Sequence, residues 1–248
     1  MRRRTGVALL LVLWLIVVLG AIGGSIAASV RERLGVATNL RDRAVARAMA
    51  DSGIVAASEE IGAALARLDA GPARARYLNA LTASAPTQFT LGDGAFQVAV
   101  ADVNARLDVN LAGEESLSQF FAQFTNAVSA HDIAREVRER TGASTRQGTI
   151  ATPLQSIDAL GDLPSFDARI ATAVAALVTV DGDGNVNMIH APLAVRHAAA
   201  GQVVDAPTRV MLVSRGARSG SSLMDEIEAV YAIQGSQLAL VRWRERAR

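Results

Sequence analysis

The stretch VALLLVLWLIVVLGAIGGSIAA, from Val7 to Ala28, carries no charged side chain. A bilayer's hydrocarbon core is spanned by roughly 20 helical residues, so this run has the length of a membrane span. Arg2, Arg3 and Arg4 precede it at the short end. Clustered arginines hold the end they flank in the cytoplasm, which places the rest of the chain across the membrane. Arg31 and Arg33 follow the run and reduce that asymmetry, with Glu32 between them. Three other readings compete. A cleaved signal peptide would have a shorter apolar region and a small-residue site, for which Ser25-Ile26-Ala27 is the candidate. A plain uncleaved anchor fits the same length. A buried core helix would seldom stay uncharged for so long.

Beyond Ala28 the pattern becomes amphipathic and free of proline as far as Gly71-Pro72. Leu34, Val45, Met49, Ile54, Ile61, Leu65 and Leu68 fall at helical spacing. The pattern predicts one helix from about Val7 to Leu68, membrane-embedded in its first half and packed on a domain in its second. Gly71-Pro72 is read as its stop.

The remaining chain changes character after Pro86. Phe89, Leu91, Phe96, Val98 and Val100 alternate around Gly92-Asp93-Gly94, which predicts a β-hairpin. Arg106–Ala112 reads as a short strand leading into a helix with Leu117, Phe120, Phe121 and Phe124 on its apolar face. Ile133 and Val137, then Ile157, Leu160 and Leu163 up to Pro164, then Ile170, Val174 and Leu177, extend the helical character to residue 177. Val210–Val213, Ile227–Ile233 and Leu238–Trp243 read as closing strands. Gly216 and Gly220 are read as one turn between them and Gln234-Gly235-Ser236 as the other. Long helix, strand pair, helical segment and closing meander make an α+β fold. A weak internal repeat aligns Leu107-Asp108-Val109-Asn110-Leu111-Ala112 with Val186-Asn187-Met188-Ile189-His190-Ala191.

Composition closes off several functions. Net charge is +1, so no broad basic field exists to hold a nucleic-acid backbone. The helical segment could be mistaken for a helix-hairpin-helix DNA module, but Asp158, Asp162 and Asp167 beside Arg169 disfavour phosphate. With no cysteine there is no disulfide, thiolate zinc site or cysteine nucleophile. His131, His190 and His197 lack the spacing of a zinc protease. Ser214 and Ser221 lack a nucleophile-elbow context. Glu114 and Glu115 read as first-turn helix charges. The sequence therefore offers no active site, and no enzyme is expected.

The one candidate ligand loop is Asp181-Gly182-Asp183-Gly184-Asn185. Closely spaced Asp and Asn oxygens with permissive glycines are what a hard Ca²⁺ ion needs. An EF-hand would require glycine at the sixth place and glutamate at the twelfth, where Val186 and Pro192 stand. The competing reading is an ordinary Asp-Gly turn between a helix and a strand.

The arginine-rich leader, Gly6 and the apolar helix opening Val7-Ala8-Leu9-Leu10-Leu11 resemble a type IV pilin-like N-terminus. Such proteins usually carry glutamate as the fifth residue after the leader, and this chain has Leu11 there. The protein K family of type II secretion minor pseudopilins lacks that glutamate. The segment Leu107–Ala112, its partial copy with Asn187 and Ala191-Pro192, and a closing Arg242-Trp243 resemble the same family. The resemblance runs over nearly the whole chain, with a helical insertion smaller than usual.

The resemblance implies a leader, residues 1–6, removed by the prepilin peptidase between Gly6 and Val7, with methylation of the new amino terminus. It implies an N-terminal helix at 7–70 (7–28 transmembrane) and a pilin-like sheet domain in two parts, 71–112 and 178–248. A helical insertion at 113–177 would separate them. It implies assembly with other minor pseudopilins at the tip of a pseudopilus, in the bacterial inner membrane with the C-terminal domain periplasmic. It also raises the calcium reading of Asp181, Asp183 and Asn185. A minor type IV pilin and an uncleaved bitopic periplasmic adaptor remain the alternatives.

Overall fold

The structure is a computed structural model describing residues 4–142, 152–199 and 203–247, without the side chains of 4–11, 26–28, 30 and 247. Helix α1 runs Arg4–Arg67 without a break, as the uninterrupted apolar and amphipathic pattern predicts. Its buried positions Ala46, Ala50, Ile54, Ile61 and Leu65 recur at helical spacing and face a sheet. Before Asp42 the described side chains are exposed, apart from a half-buried Val18. Leu34, expected on the packed stripe, is 62% exposed, because the sheet does not reach that far along the helix. Among the described residues no helix is long and apolar enough to cross a membrane. The span expected at 7–28 includes side chains outside that set, at 7–11 and 26–28.

A second helix, α2 (Pro72–Thr82), follows at once. Proline at a first helical position loses no hydrogen bond, so Gly71-Pro72 both ends α1 and starts α2. Arg74 on α2 donates to Leu65 O at 3.2 Å and Leu68 O at 2.6 Å, satisfying carbonyls left open at the end of α1.

The expected hairpin is β1 (Thr87–Leu91) and β2 (Gly94–Asp102), in register with Phe89 opposite Phe96. Here the chain leaves the sheet. It returns at residue 209 as β7 (Arg209–Arg218), directly beside β2, and closes with β8 (Met224–Gln234) and β9 (Gln237–Ala247). The sheet is antiparallel, in the order β1-β2-β7-β8-β9. Gly216, read from the sequence as a turn, lies inside β7. A Cβ there would sit 2.1 Å from Ala46 O and 2.3 Å from Ala50 N of α1. Its lack of a side chain is what lets helix and strand touch. The turn itself contains Gly220, at φ +78.

Everything from residue 103 to 208 is therefore an excursion between two adjacent strands. It has its own apolar core, separate from the one under α1. The strand β3 (Leu107–Asp108) leads into α3 (Glu114–Phe121) and α4 (Ala127–Thr141). A 3₁₀ turn at Ile157–Asp162 precedes α5 (Ala168–Val174) and β4 (Val178–Thr179), which pairs parallel to β3. Then β5 (Val186–Asn187), α6 (Leu193–Ala198) and β6 (Val203–Val204) form a second parallel pair. Leu117, Phe120, Phe121, Ile133, Val137, Leu160 and Val174 are fully buried. Ile170, at 4% exposure, belongs with them.

The weak repeat in the sequence is a true structural repeat. Asp108 Oδ1 accepts from Asn110 N at 2.8 Å, and Asn187 Oδ1 accepts from Ile189 N at 3.1 Å. Ala112 N donates to Asp108 O, and Ala191 N to Asn187 O, both at 2.8 Å. Each copy is a strand end, a side-chain-closed turn and a helix start.

Candidate functional site

Gly6 and Val7 lie in the first turns of α1, and their side chains fall outside the described set. The backbone there is helical, and nothing in that geometry tests the expected cleavage.

The loop Asp181–Asn185 sits where the insertion meets the sheet. Side chains alternate along a strand, so α1 covers one face of β7 through Leu212 and Ser214, while Met211 faces the insertion. On β9 a bulge opposite Val230/Tyr231 adds Val241 as an extra residue. The parity of the strand changes there. Leu238 before the bulge and Trp243 after it both pack against the α1 core. Arg242 and Arg244 are thereby aimed at the insertion, and Arg246 follows on the same face.

Asp181, 8% exposed, receives both of the first two arginines. Arg242 Nη1 donates to its Oδ1 at 2.9 Å and Arg244 Nη1 to its Oδ2 at 2.8 Å. The same two guanidiniums reach Gln155: Arg242 donates to its side-chain and main-chain oxygens, and Arg244 Nη2 to its main-chain oxygen at 3.0 Å. Arg209 at the start of β7 donates to Asp181 O and Gly182 O, each at 2.6 Å. Arg246 pairs with Glu228 of β8 at 3.4 Å.

Asp183 is engaged by neutral donors. Thr208 Oγ1 donates to its Oδ2 at 2.6 Å, and Asn104 Nδ2 and Asn185 N donate to its Oδ1 at 2.8 and 3.1 Å. Burial pushes the Asp183 carboxyl up, but these hydrogen bonds outweigh it and hold the group below the ordinary value. Asn104, 1% exposed, is the hub. Its Oδ1 accepts from Thr208 N and Arg209 N, and its Nδ2 also donates to Asn185 O at 3.2 Å.

Two further carboxylates lie beneath. Asp102 accepts from Asn104 N at 2.8 Å and from Asn187 Nδ2 at 2.6 Å. Asn187 also reaches Asn79 of α2, at 3.1 Å. Asp108 touches Gly182 so closely that a Cβ there would lie 2.8 Å from its Oδ2. Burial raises the carboxyls of both Asp102 and Asp108 above the ordinary value.

This arrangement does not fit a resident calcium ion. Ca²⁺ requires several free oxygens converging at 2.3–2.6 Å. Here both oxygens of Asp181 face guanidinium cations, and both oxygens of Asp183 already accept hydrogen bonds. Among the described residues no group of three or more His, Cys, Asp or Glu is placed to hold a metal ion. Sequence reading found the loop and missed its partners. Arg242, Arg244 and Gln155 lie far from it along the chain. The visible signal was the period-two run Arg242-x-Arg244-x-Arg246, which continues past the predicted end of the last strand at Trp243.

No family model matches the chain, and no curated protein matches it. Among solved structures, one with the same fold is described by its complex. It is a chain of the crystal structure of the GspK-GspI-GspJ complex from the type 2 secretion system of enterotoxigenic Escherichia coli. The TM-score is 0.58 at 13% identity, over 87% of this chain and 98% of that one. The α+β architecture of long helix, antiparallel sheet and helical insertion is thus that of a chain in a secretion-system complex.

Proposed function

We propose that this protein is a minor pseudopilin of a type II secretion system, acting in assembly and not in chemistry. The observation that carries the reading is the fold shared, over 87% of this chain, with a chain of the GspK-GspI-GspJ complex. The N-terminal sequence agrees with it independently: three arginines, Gly6, then an uncharged helix. In this reading residues 7–28 anchor the chain in the inner membrane, and the folded part lies in the periplasm. The prepilin peptidase cuts between Gly6 and Val7. The helix then leaves lipid and packs with the helices of sister minor pseudopilins.

The long exposed half of α1 supports that role. From Val12 to Leu40 the helix offers Leu13, Trp14, Ile16, Val17, Leu19, Ile22, Leu34, Val36 and Leu40 to its surroundings. A surface of that size and apolarity needs lipid or protein around it. Leu11 fits a subunit at the tip. An intramembrane glutamate is costly unless it meets a partner charge, and a first subunit has no earlier subunit to supply one. The insertion at 103–208 widens the head and suits a capping subunit.

Intact mass of the membrane-extracted protein, with and without the peptidase, tests the reading. Loss of Met1 through Gly6 only when the peptidase is active is expected, together with co-purification of the other minor pseudopilins. A mass that ignores the peptidase leaves the uncleaved bitopic adaptor instead. Correct processing with recovery of type IV pilins alone leaves the minor pilin.

A further inference from the structure

We propose that Arg242 and Arg244 take the place of a cation at the Asp181 loop, locking the insertion to the sheet by a clamp that needs no calcium. The charge pattern argues for it. Asp108, Asp181 and Asp183 crowd one junction, and Arg209, Arg242 and Arg244 converge on the same few residues. Carboxylates packed this closely repel unless positive charge lies among them, which a metal ion commonly supplies. Here the chain supplies it from its last strand.

The geometry is specific to arginine. Each guanidinium presents several donors in one plane, so each bridges Asp181 and Gln155 together, joining two separate segments of the insertion. An ammonium point charge lacks that fork. The clamp's placement depends on the bulge at Val241, which turns both arginines away from the α1 face. Asp181 is nearly buried, while the two guanidinium side chains are 24% and 26% exposed. The carboxylate thus gives up most of its hydration and recovers it from two cations, in a place water screens poorly. The clamp stands on this geometry alone and does not depend on the secretion reading.

The test uses the full chain in detergent. The thermal midpoint of the wild type is measured with excess calcium and with chelator, and the expected shift is none. The variant Arg242→Gln with Arg244→Gln is expected to melt roughly 5–10 °C lower. Its amide hydrogen exchange should rise in residues 153–163 and 178–187 while α1 and β7 keep their protection. A rise of the wild-type midpoint with calcium overturns the proposal. So does a variant whose exchange in the insertion is unchanged. If the double variant fails to fold, Arg242→Gln alone serves the exchange measurement, and the calcium arm needs no variant.

Discussion

Where α1 crosses the sheet, the contact is made of glycine, alanine and aliphatic side chains. Where the insertion meets the opposite face of the same sheet, it is made of asparagine, aspartate and arginine. The first joint brings backbones together at Gly216 and then covers them with Ile54, Ile61, Leu65, Leu212 and Ile227. The second holds its parts through directed hydrogen bonds, few of them replaceable. An apolar joint is forgiving of chemistry and intolerant of volume; a polar one is the reverse. For a subunit proposed to hand its helix from lipid to protein neighbours, a head fixed to that helix by shape is useful. An insertion fixed by charge is held in one orientation instead.

The largest expected effect breaks the first joint by volume alone. Gly216→Ala places a methyl group against Ala46 O and Ala50 N, both backbone atoms of a helix that cannot yield locally. We expect a loss of at least about 3 kcal/mol, or failure to fold, since overpacking against a rigid backbone lies in the upper range of single-residue effects. Urea unfolding measures it. A loss under about 1 kcal/mol would show that α1 slides on the sheet to make room.

Next comes the hub of the polar joint. Asn104→Ala removes the acceptor for Thr208 and Arg209 and the donor to Asp183 and Asn185. A buried group left without a partner costs about 1–3 kcal/mol, but Thr208, Arg209 and Asn185 are half-buried and water takes up part of what they lose, so a total near 2–4 kcal/mol is expected. Exchange protection should drop around residues 181–187 and 205–209 and stay intact in α1. Uniform loss over both joints would mean that they melt as one unit.

A smaller effect separates the joints by pH. Burial raises the Asp102 and Asp108 carboxyls above the ordinary value near 3.8. Their contribution to stability is fully present below that value and is lost as pH rises through their folded pKa. Asp183 has the opposite sign: its carboxyl is lowered, so its contribution is present above 3.8 and lost as pH falls through its folded pKa. Asp42 of the first joint behaves like Asp183, because a 2.7 Å hydrogen bond from Arg218 lowers its carboxyl. Asp108→Asn keeps an acceptor for Asn110 N and deletes the charge. Its thermal midpoint relative to wild type should rise as pH climbs from about 4 to about 8, with a gain of order 1 kcal/mol. A difference that is the same at every pH would remove Asp108 as a titrating member of the junction.

What the sequence revealed divides along the same line. The apolar joint was legible in α1 and β2, because period 3.6 and alternation are local signals, while of β7 only Val210–Val213 was read as strand. The insertion's helices were legible too, and their predicted residues Leu117, Phe120, Phe121, Ile133, Val137 and Val174 form its buried core. The errors were also local. Pro72 was read as a stop when it is the first residue of α2. Gly216 was read as a turn when its small size serves packing. The polar joint could be seen only in halves. Asp181-Gly182-Asp183 drew attention, but the arginines that complete it lie 61 and 63 residues away, and a bulge decides which face they take. The repeat shows the same limit. Asn110 ties Leu154 and Val180 together, while Ile189 at the matching place is 58% exposed and holds nothing comparable. Asparagine in one copy is a cross-link and isoleucine in the other is surface, a difference that depends on partners only the fold supplies.

The smallest expected effect sharpens the comparison from within the apolar joint. Ser214 on β7 is fully buried against α1, and among the described residues its Oγ has no hydrogen-bond partner. It lies where a Cβ on Gly53 would come within 2.2 Å of it. A buried hydroxyl without a partner costs stability, while alanine in the same space loses only a group that was making no bond. Ser214→Ala should therefore leave stability unchanged within about 0.5 kcal/mol or raise it slightly. That is the reverse of Asn104→Ala, although both delete a buried polar group facing one sheet. If Ser214→Ala instead costs more than about 1 kcal/mol, its hydroxyl is bonded to α1 in solution. The helix-sheet joint would then owe part of its register to a directed bond and not to volume alone.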